Sequence, residues 1–203
     1  NNFSTASLVF FNGVILMYLG GVRLSYIGKL FLVSFVIAFS IYSLTKYSSL
    51  GEKIMPRSVT WVNRIDSFLG DKNEMMGKDY QQVQALVAIQ NGKIQGLGPG
   101  KSKQRGVLPY SESDFIFAIL LEEYGLIGAS LLILFYLILL FRAIKIYLKT
   151  DSIFGSLIVV GLVFSIVFQA LVNMLVSVSI MPVTGQTLPF ISMGGTSLVF
   201  TFI

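Results

Sequence analysis

The chain has 203 residues, 54% of them apolar and only 12% charged, with a mean hydropathy of +0.77; a soluble domain carries about 25% charged residues, so this is membrane-protein composition. It holds no cysteine and no histidine, which excludes disulfides, zinc fingers, His-ligated metals and His-dependent triads, and leaves Asp, Glu, Lys or Tyr as any general base. The net charge of +5 does not signal nucleic acid, because the cations are split between short joins and one long loop; anionic lipid or a phosphorylated lipid substrate suits them better.

A bilayer core of about 30 Å takes about 20 apolar residues per helix. In chain order, runs over Phe3–Val22, Tyr26–Thr45, Phe115–Phe141 and Ile153–Met181 approach or meet that length, and a fifth from Leu188 is cut short in "SLVFTFI". The expectation is an all-α polytopic membrane protein with about five spans. Two lie in 1–45, a long extracytoplasmic loop covers 46–113, and three lie in 114–203, the last truncated. A start at Asn1 and a stop inside an apolar run read as a piece of a longer protein. The first two spans are joined by "RLSYIGK", with Arg23 and Lys29, and the third and fourth by "RAIKIYLKTD", with Arg142, Lys145 and Lys149. Short basic joins stay in the cytoplasm, so both are assigned inside and the loop outside.

A structureless loop of about 70 residues is uncommon unless it is functional or disordered, and a partner-binding or substrate-binding lobe is the natural reading. In "MMGKDYQQVQALVAIQNG", Tyr80, Val83 and Val87 recur at helical spacing before a stop at Gly92, predicting a short amphipathic helix on the membrane or against the bundle. The following "GLGPGKSKQ" resembles a phosphate loop only superficially. Counting back from Gly100-Lys101-Ser102, the first glycine should stand at position 95, which is Gln95, and the Gly/Pro-rich continuation starts no helix. ATP is not expected there, and the lysines need another ligand.

The third run opens "SESDFIFAILLEEYGLIG", with Asp114 at its outer mouth and Glu122 and Glu123 about two turns deeper. Carboxylates inside an apolar helix face a polar cavity or a partner, and mark functional sites or structural pairs. Asp114 also suits a helix N-cap, which would not preclude chemistry. Asp114 and Glu122 are about 12 Å apart along a helix axis and about 80° around it, outside the about 5 to 9.5 Å of a two-carboxylate glycosidase. Gln169 and Asn173, four apart, suit interhelical hydrogen bonding, and Gly125-x-x-x-Ala129 a small-residue helix contact. "TLPFISMGGTS", Thr187 to Ser197, reads as a Pro-broken re-entry needing protein or a water-filled cavity around it.

The run "GLGPGKSKQRGVLPYSESDFIFAILLEEYGLIGA", followed by "FQALVNM" and "TLPFISMGGTS", resembles the SEDS family of bacterial shape, division and sporulation proteins (FtsW, RodA, SpoVE), and "YLGGVRL" looks more like its FtsW branch. The resemblance implies the C-terminal half of a ten-helix protein of the bacterial cytoplasmic membrane. It implies a peptidoglycan glycosyltransferase that polymerises lipid II on the extracytoplasmic face with a class B penicillin-binding protein. It assigns the proposed catalytic role to Asp114, and the family's basic segment matches Lys103, Gln104 and Arg105. Two departures touch the site: many relatives have His where this chain has Glu112, and Asp where it has Asn2.

Lipid II polymerisation needs a base near a sugar hydroxyl and positive charge on the departing diphosphate. Asp114 supplies the first, and Lys101, Lys103 and Arg105, with Gln104 beside them, the second. Glu122, Glu123, Gln169, Asn173, Ser192, Gly194 and Gly195 complete the candidate substrate-binding set. A divalent cation, Mg or Mn, could share the diphosphate charge, with Asp114 or Glu112 as ligand, although no spacing demonstrates a site. The alternatives are a lipid II flippase using the intramembrane polar residues as a path, and a non-catalytic division scaffold.

Overall fold

The computed structural model describes residues 3–47, 59, 62, 80–108 and 113–192. The regular elements among them are all helices: α1 (Phe3–Leu19), α2 (Leu24–Tyr47), α3 (Tyr80–Gly92), α4 (Ile116–Lys149) and α5 (Ile153–Ser177). α2, α4 and α5 are long and apolar enough to cross a membrane, while α1, with 17 residues, falls just short. The protein is an all-α polytopic membrane protein. The expected fifth run is not helical at its start, since 182–188 is irregular and a turn follows; Gly194 and Gly195 lie outside the described residues, as do Asn2 and Glu112.

Residues 1–16 and 79–203 form one compact unit and 17–78 a second. In the second, α2 exposes Leu32, Phe35, Ile37 and Phe39, as a lipid-facing helix does. Its hydroxyls bond back one turn, Ser34 to the Leu30 carbonyl at 2.8 Å and Ser40 to that of Val36 at 2.7 Å, so α2 need not carry bare polar groups into hydrocarbon. Lys29 lies over the Tyr26 ring and Lys46 over that of Tyr42, pairing a cation with an amphipathic ring near each end of the helix.

In the first unit α3 packs on α4, but not by the face its apolar residues suggested. Gln82, Ala85, Ala88 and Gly92 are buried, whereas Tyr80 and Val83 are exposed. The reason is distance. A Cβ at Gly92 would collide with the Leu121 backbone carbonyl, and two alanines preceding it on that face permit the same close approach. Bulky Val83 and Val87 would hold the helices apart.

α4 also departs from expectation. It extends to Lys149, 34 residues in all, and breaks at Gly125, whose φ of 65° and ψ of −166° are not helical. Gly125 is thus the break itself and not the small-residue helix contact read from Gly125-x-x-x-Ala129. An unbroken helix would donate from Leu126 and Ile127 to the carbonyls of Glu122 and Glu123. Here Leu126 and Ile127 donate instead to Lys93 and Ile94, at 3.1 and 3.3 Å. The Glu122 and Glu123 carbonyls accept from Leu97 and Gly98, both at 2.9 Å. The 93–98 turn has been inserted into two rungs of the helical ladder and satisfies both raw ends. No side chain fits there: a Cβ on Gly125 would strike the Ile94 carbonyl, and one on Gly96 the Glu123 carbonyl. Residues 126–149 still measure about 36 Å, enough to cross alone, so the break and both glutamates lie toward the end of the span opposite the basic join.

α5 is capped by Ser152, whose side chain accepts from Gly155 N–H at 3.3 Å. It packs along α4, and α1 lies against it through Phe11 on Phe168, Leu16 over Gly161, and a 2.7 Å hydrogen bond from Asn12 to Ser165. The core has two parts. Leu108, Phe115, Ala118, Ile119 and Val176 gather with the α3 alanines in one; Phe117, Leu121, Ala129, Tyr136, Ala170 and Leu188 form the other.

Candidate active site

Asp114 sits in the turn that enters α4. The helix's N-cap position is Phe115, one residue after Asp114, and it makes no side-chain capping bond of its own. Phe115 is fully buried and anchors the turn in the core, whereas Asp114 is only part-buried. The backbone around it is fixed from two directions. Asn173, on α5, donates one amide hydrogen to the Asp114 carbonyl at 2.8 Å and the other to the Gln186 carbonyl at 2.7 Å. Ser192 donates to the Ser113 carbonyl at 2.8 Å while accepting from Leu188 N–H at 2.7 Å.

The irregular 182–192 segment is the second wall. Gln169 donates to the Thr187 carbonyl at 3.0 Å and to its hydroxyl at 3.3 Å, Tyr136 donates to the Pro189 carbonyl at 2.6 Å, and Leu188 is wholly buried. Backbone that forms no helix is thereby given partners by side chains of α4 and α5, which is how such a segment exists within a membrane bundle. Gly185, with φ at 70°, runs alongside Asp114: a Cβ there would lie 3.8 Å from Oδ2 of the carboxylate. The carboxylate thus faces an exposed glycine turn.

The basic segment lies beside the upper half of α4. Lys101, Lys103 and Arg105 are exposed, while Ser102 and Gln104 between them are part-buried. Glu122 is completely buried, and its carboxylate accepts from Asn91 Nδ2 at 3.0 Å, from Ser102 Oγ, and from the Gln104 backbone N–H at 3.2 Å. Ser102 Oγ in turn accepts from Arg105 N–H at 3.1 Å. Leu108 then enters the core beside Phe115, which brings the end of the segment back to the neighbourhood of Asp114.

The candidates therefore divide. Lys101, Lys103 and Arg105 are exposed, whereas Asn173 and Ser192 donate to backbone carbonyls and Gln169 to the Thr187 carbonyl and hydroxyl. Glu122 is committed to three donors. The Gln104 and Glu123 side chains each hold a buried oxygen, Oε1, without a hydrogen-bond partner among the described residues. No group of three or more Asp or Glu gathers as a metal site among the described residues. Sequence reasoning missed Asn91, Ser102 and Gly185. The alternation of polar and basic residues over 101–105 was the available signal for Ser102.

The sequence model of the FtsW/RodA/SpoVE family, described as cell cycle proteins, matches residues 1–203. The chain belongs to this family. It is similar to the stage V sporulation protein E of Bacillus subtilis, with 42% identity over 138 residues, which cover 68% of this chain and 38% of that protein. It is 43% identical over 144 residues to a probable peptidoglycan glycosyltransferase FtsW of Hydrogenovibrio crunogenus, covering 69% and 37%. The FtsW/RodA/SpoVE segment described here thus spans less than two fifths of the length of those relatives. The fold matches, with a TM-score of 0.68 and 23% identity, a chain in a structure described as the coordination of polymerization and crosslinking by a peptidoglycan synthase complex; 97% of this chain and 51% of that one are covered.

Proposed function

We propose that the intact protein is a peptidoglycan glycosyltransferase that polymerises lipid II at the outer face of the bacterial cytoplasmic membrane. Asp114 is the general base. The observation that carries this reading is a part-buried Asp114 on backbone held by Asn173 and Ser192, with the segment that bears the exposed Lys101, Lys103 and Arg105 returning to the core at Leu108 beside Phe115. Relatives named peptidoglycan glycosyltransferase FtsW support it.

In this reading a sugar hydroxyl lies against Asp114. The hydroxyl oxygen attacks the anomeric carbon, its proton passes to the carboxylate, and the bond from that carbon to the diphosphate oxygen breaks as the glycosidic bond forms. The electron pair leaves on the lipid diphosphate, whose growing charge is met by Lys101, Lys103 and Arg105. Gln169 and Asn173 support this over a transport path, because their amide N–H groups donate to the Thr187, Asp114 and Gln186 backbone carbonyls. A class B penicillin-binding protein is the proposed partner, in keeping with the fold's likeness to a chain of a synthase complex.

The test is glycan-chain formation from labelled lipid II by the intact protein with its penicillin-binding partner. Asp114→Asn is expected to lower the rate by at least about a hundredfold without changing folding or membrane insertion. A variant that polymerises at the wild-type rate refutes the assignment, and loss of lipid II translocation with polymerisation untouched would establish a transporter.

A further inference from the structure

Glu122 is a buried carboxylate that the chemistry above does not use. It is wholly enclosed, so no substrate reaches it. It meets the 91–104 stretch at four points: its carboxylate accepts from Asn91, Ser102 and Gln104, and its carbonyl from Leu97. Three of the four come from the segment that carries or leads into the cations, and Ser102 passes the constraint on to the Arg105 backbone. With residues 102 and 104 pulled inward, 101, 103 and 105 turn outward.

Both carboxylate oxygens accept in this pattern, whereas a glutamine of the same shape would set an N–H against a donor. Three long cationic side chains on a loose loop would meet phosphates as independent point charges. On a fixed frame their spacing is preset, and the ordering cost is met before the ligand arrives.

We propose that Glu122 is a positioning residue, whose buried carboxylate sets the spacing of Lys101, Lys103 and Arg105 so that together they select a lipid diphosphate over a lipid monophosphate. This rests on the reading that the basic segment binds the diphosphate of lipid II.

The experiment measures binding of undecaprenyl diphosphate and undecaprenyl monophosphate to the intact protein in nanodiscs, for wild type, Glu122→Gln, Ser102→Ala and the double variant. Wild type binds the diphosphate more tightly. Glu122→Gln weakens diphosphate binding about tenfold with little change for the monophosphate, and raises KM for lipid II with kcat held within about twofold. Ser102→Ala gives the same selective loss, and the double variant adds nothing to it, because both act through one network. Equal diphosphate affinity in wild type and Glu122→Gln overturns the proposal, as does a fall in kcat at constant KM. Should Glu122→Gln not fold, unchanged diphosphate affinity in Ser102→Ala overturns it alone. A wild-type protein that does not bind the diphosphate sinks the underlying reading as well, which separates the two failures.

Discussion

At the scale of single residues, Asn173 shows how a polar side chain far from Asp114 in sequence shapes its surroundings. It serves two carbonyls, a part-buried one at Asp114 and a buried one at Gln186, with one amide. Asn173→Ala leaves both without that donor, at a cost of about 1 to 3 kcal/mol each. The expected outcome is a lower thermal midpoint in detergent together with slower glycan synthesis per folded molecule, since the Asp114 turn loses its α5 anchor. Unaltered stability would show that water replaces the amide. The polar character of this position was readable from its helical spacing with Gln169; its partners were not, because backbone carbonyls leave no mark in a sequence. Glu122 gives the same lesson. A glutamate in an apolar helix announces a partner, yet Asn91, Ser102 and Gln104 lie 18 to 31 residues away and none is basic.

At the scale of elements, the break in α4 joins fold to site. The 93–98 turn fills two missing rungs of the helix, so the start of the basic segment is docked by backbone before any side chain contributes. Gly125→Ala places a side chain in a conformation essentially reserved for glycine, costing about 1 to 3 kcal/mol, and also drives a Cβ into the Ile94 carbonyl. A clear drop in thermal midpoint is expected. Gly13→Ala on α1 is the control, because a Cβ there meets nothing within 4 Å and its midpoint should not fall. Equal behaviour of the two variants would contradict the docking role. Helix number and type were largely legible from hydropathy, since spans need long apolar runs. The α4 break and the packing face of α3 were not. Periodicity assumes that the larger apolar residues face inward, whereas Ala85, Ala88 and Gly92 win here by letting backbones touch.

At the scale of the whole molecule, the proposed chemistry requires the basic segment and the α4–α5 join to lie on opposite sides of the membrane. These 203 residues hold no cysteine, so in an intact protein freed of any cysteine outside them an introduced thiol is unique. Lys103→Cys should react with a membrane-impermeant thiol reagent added to intact cells, and Lys149→Cys only after the membrane is opened. The reverse pattern would put Asp114 on the cytoplasmic side and remove extracellular lipid II polymerisation from consideration. The most direct measurement combines binding and synthesis in one preparation: undecaprenyl diphosphate affinity and glycan-chain yield for wild type, Asp114→Asn and Asp114→Glu, with the penicillin-binding partner present. Asp114→Asn is expected to retain affinity within about threefold and to make no chains, with Asp114→Glu recovering part of the synthesis. An Asp114→Asn protein that binds the diphosphate and polymerises at the wild-type rate would contradict the assignment of Asp114 as the base.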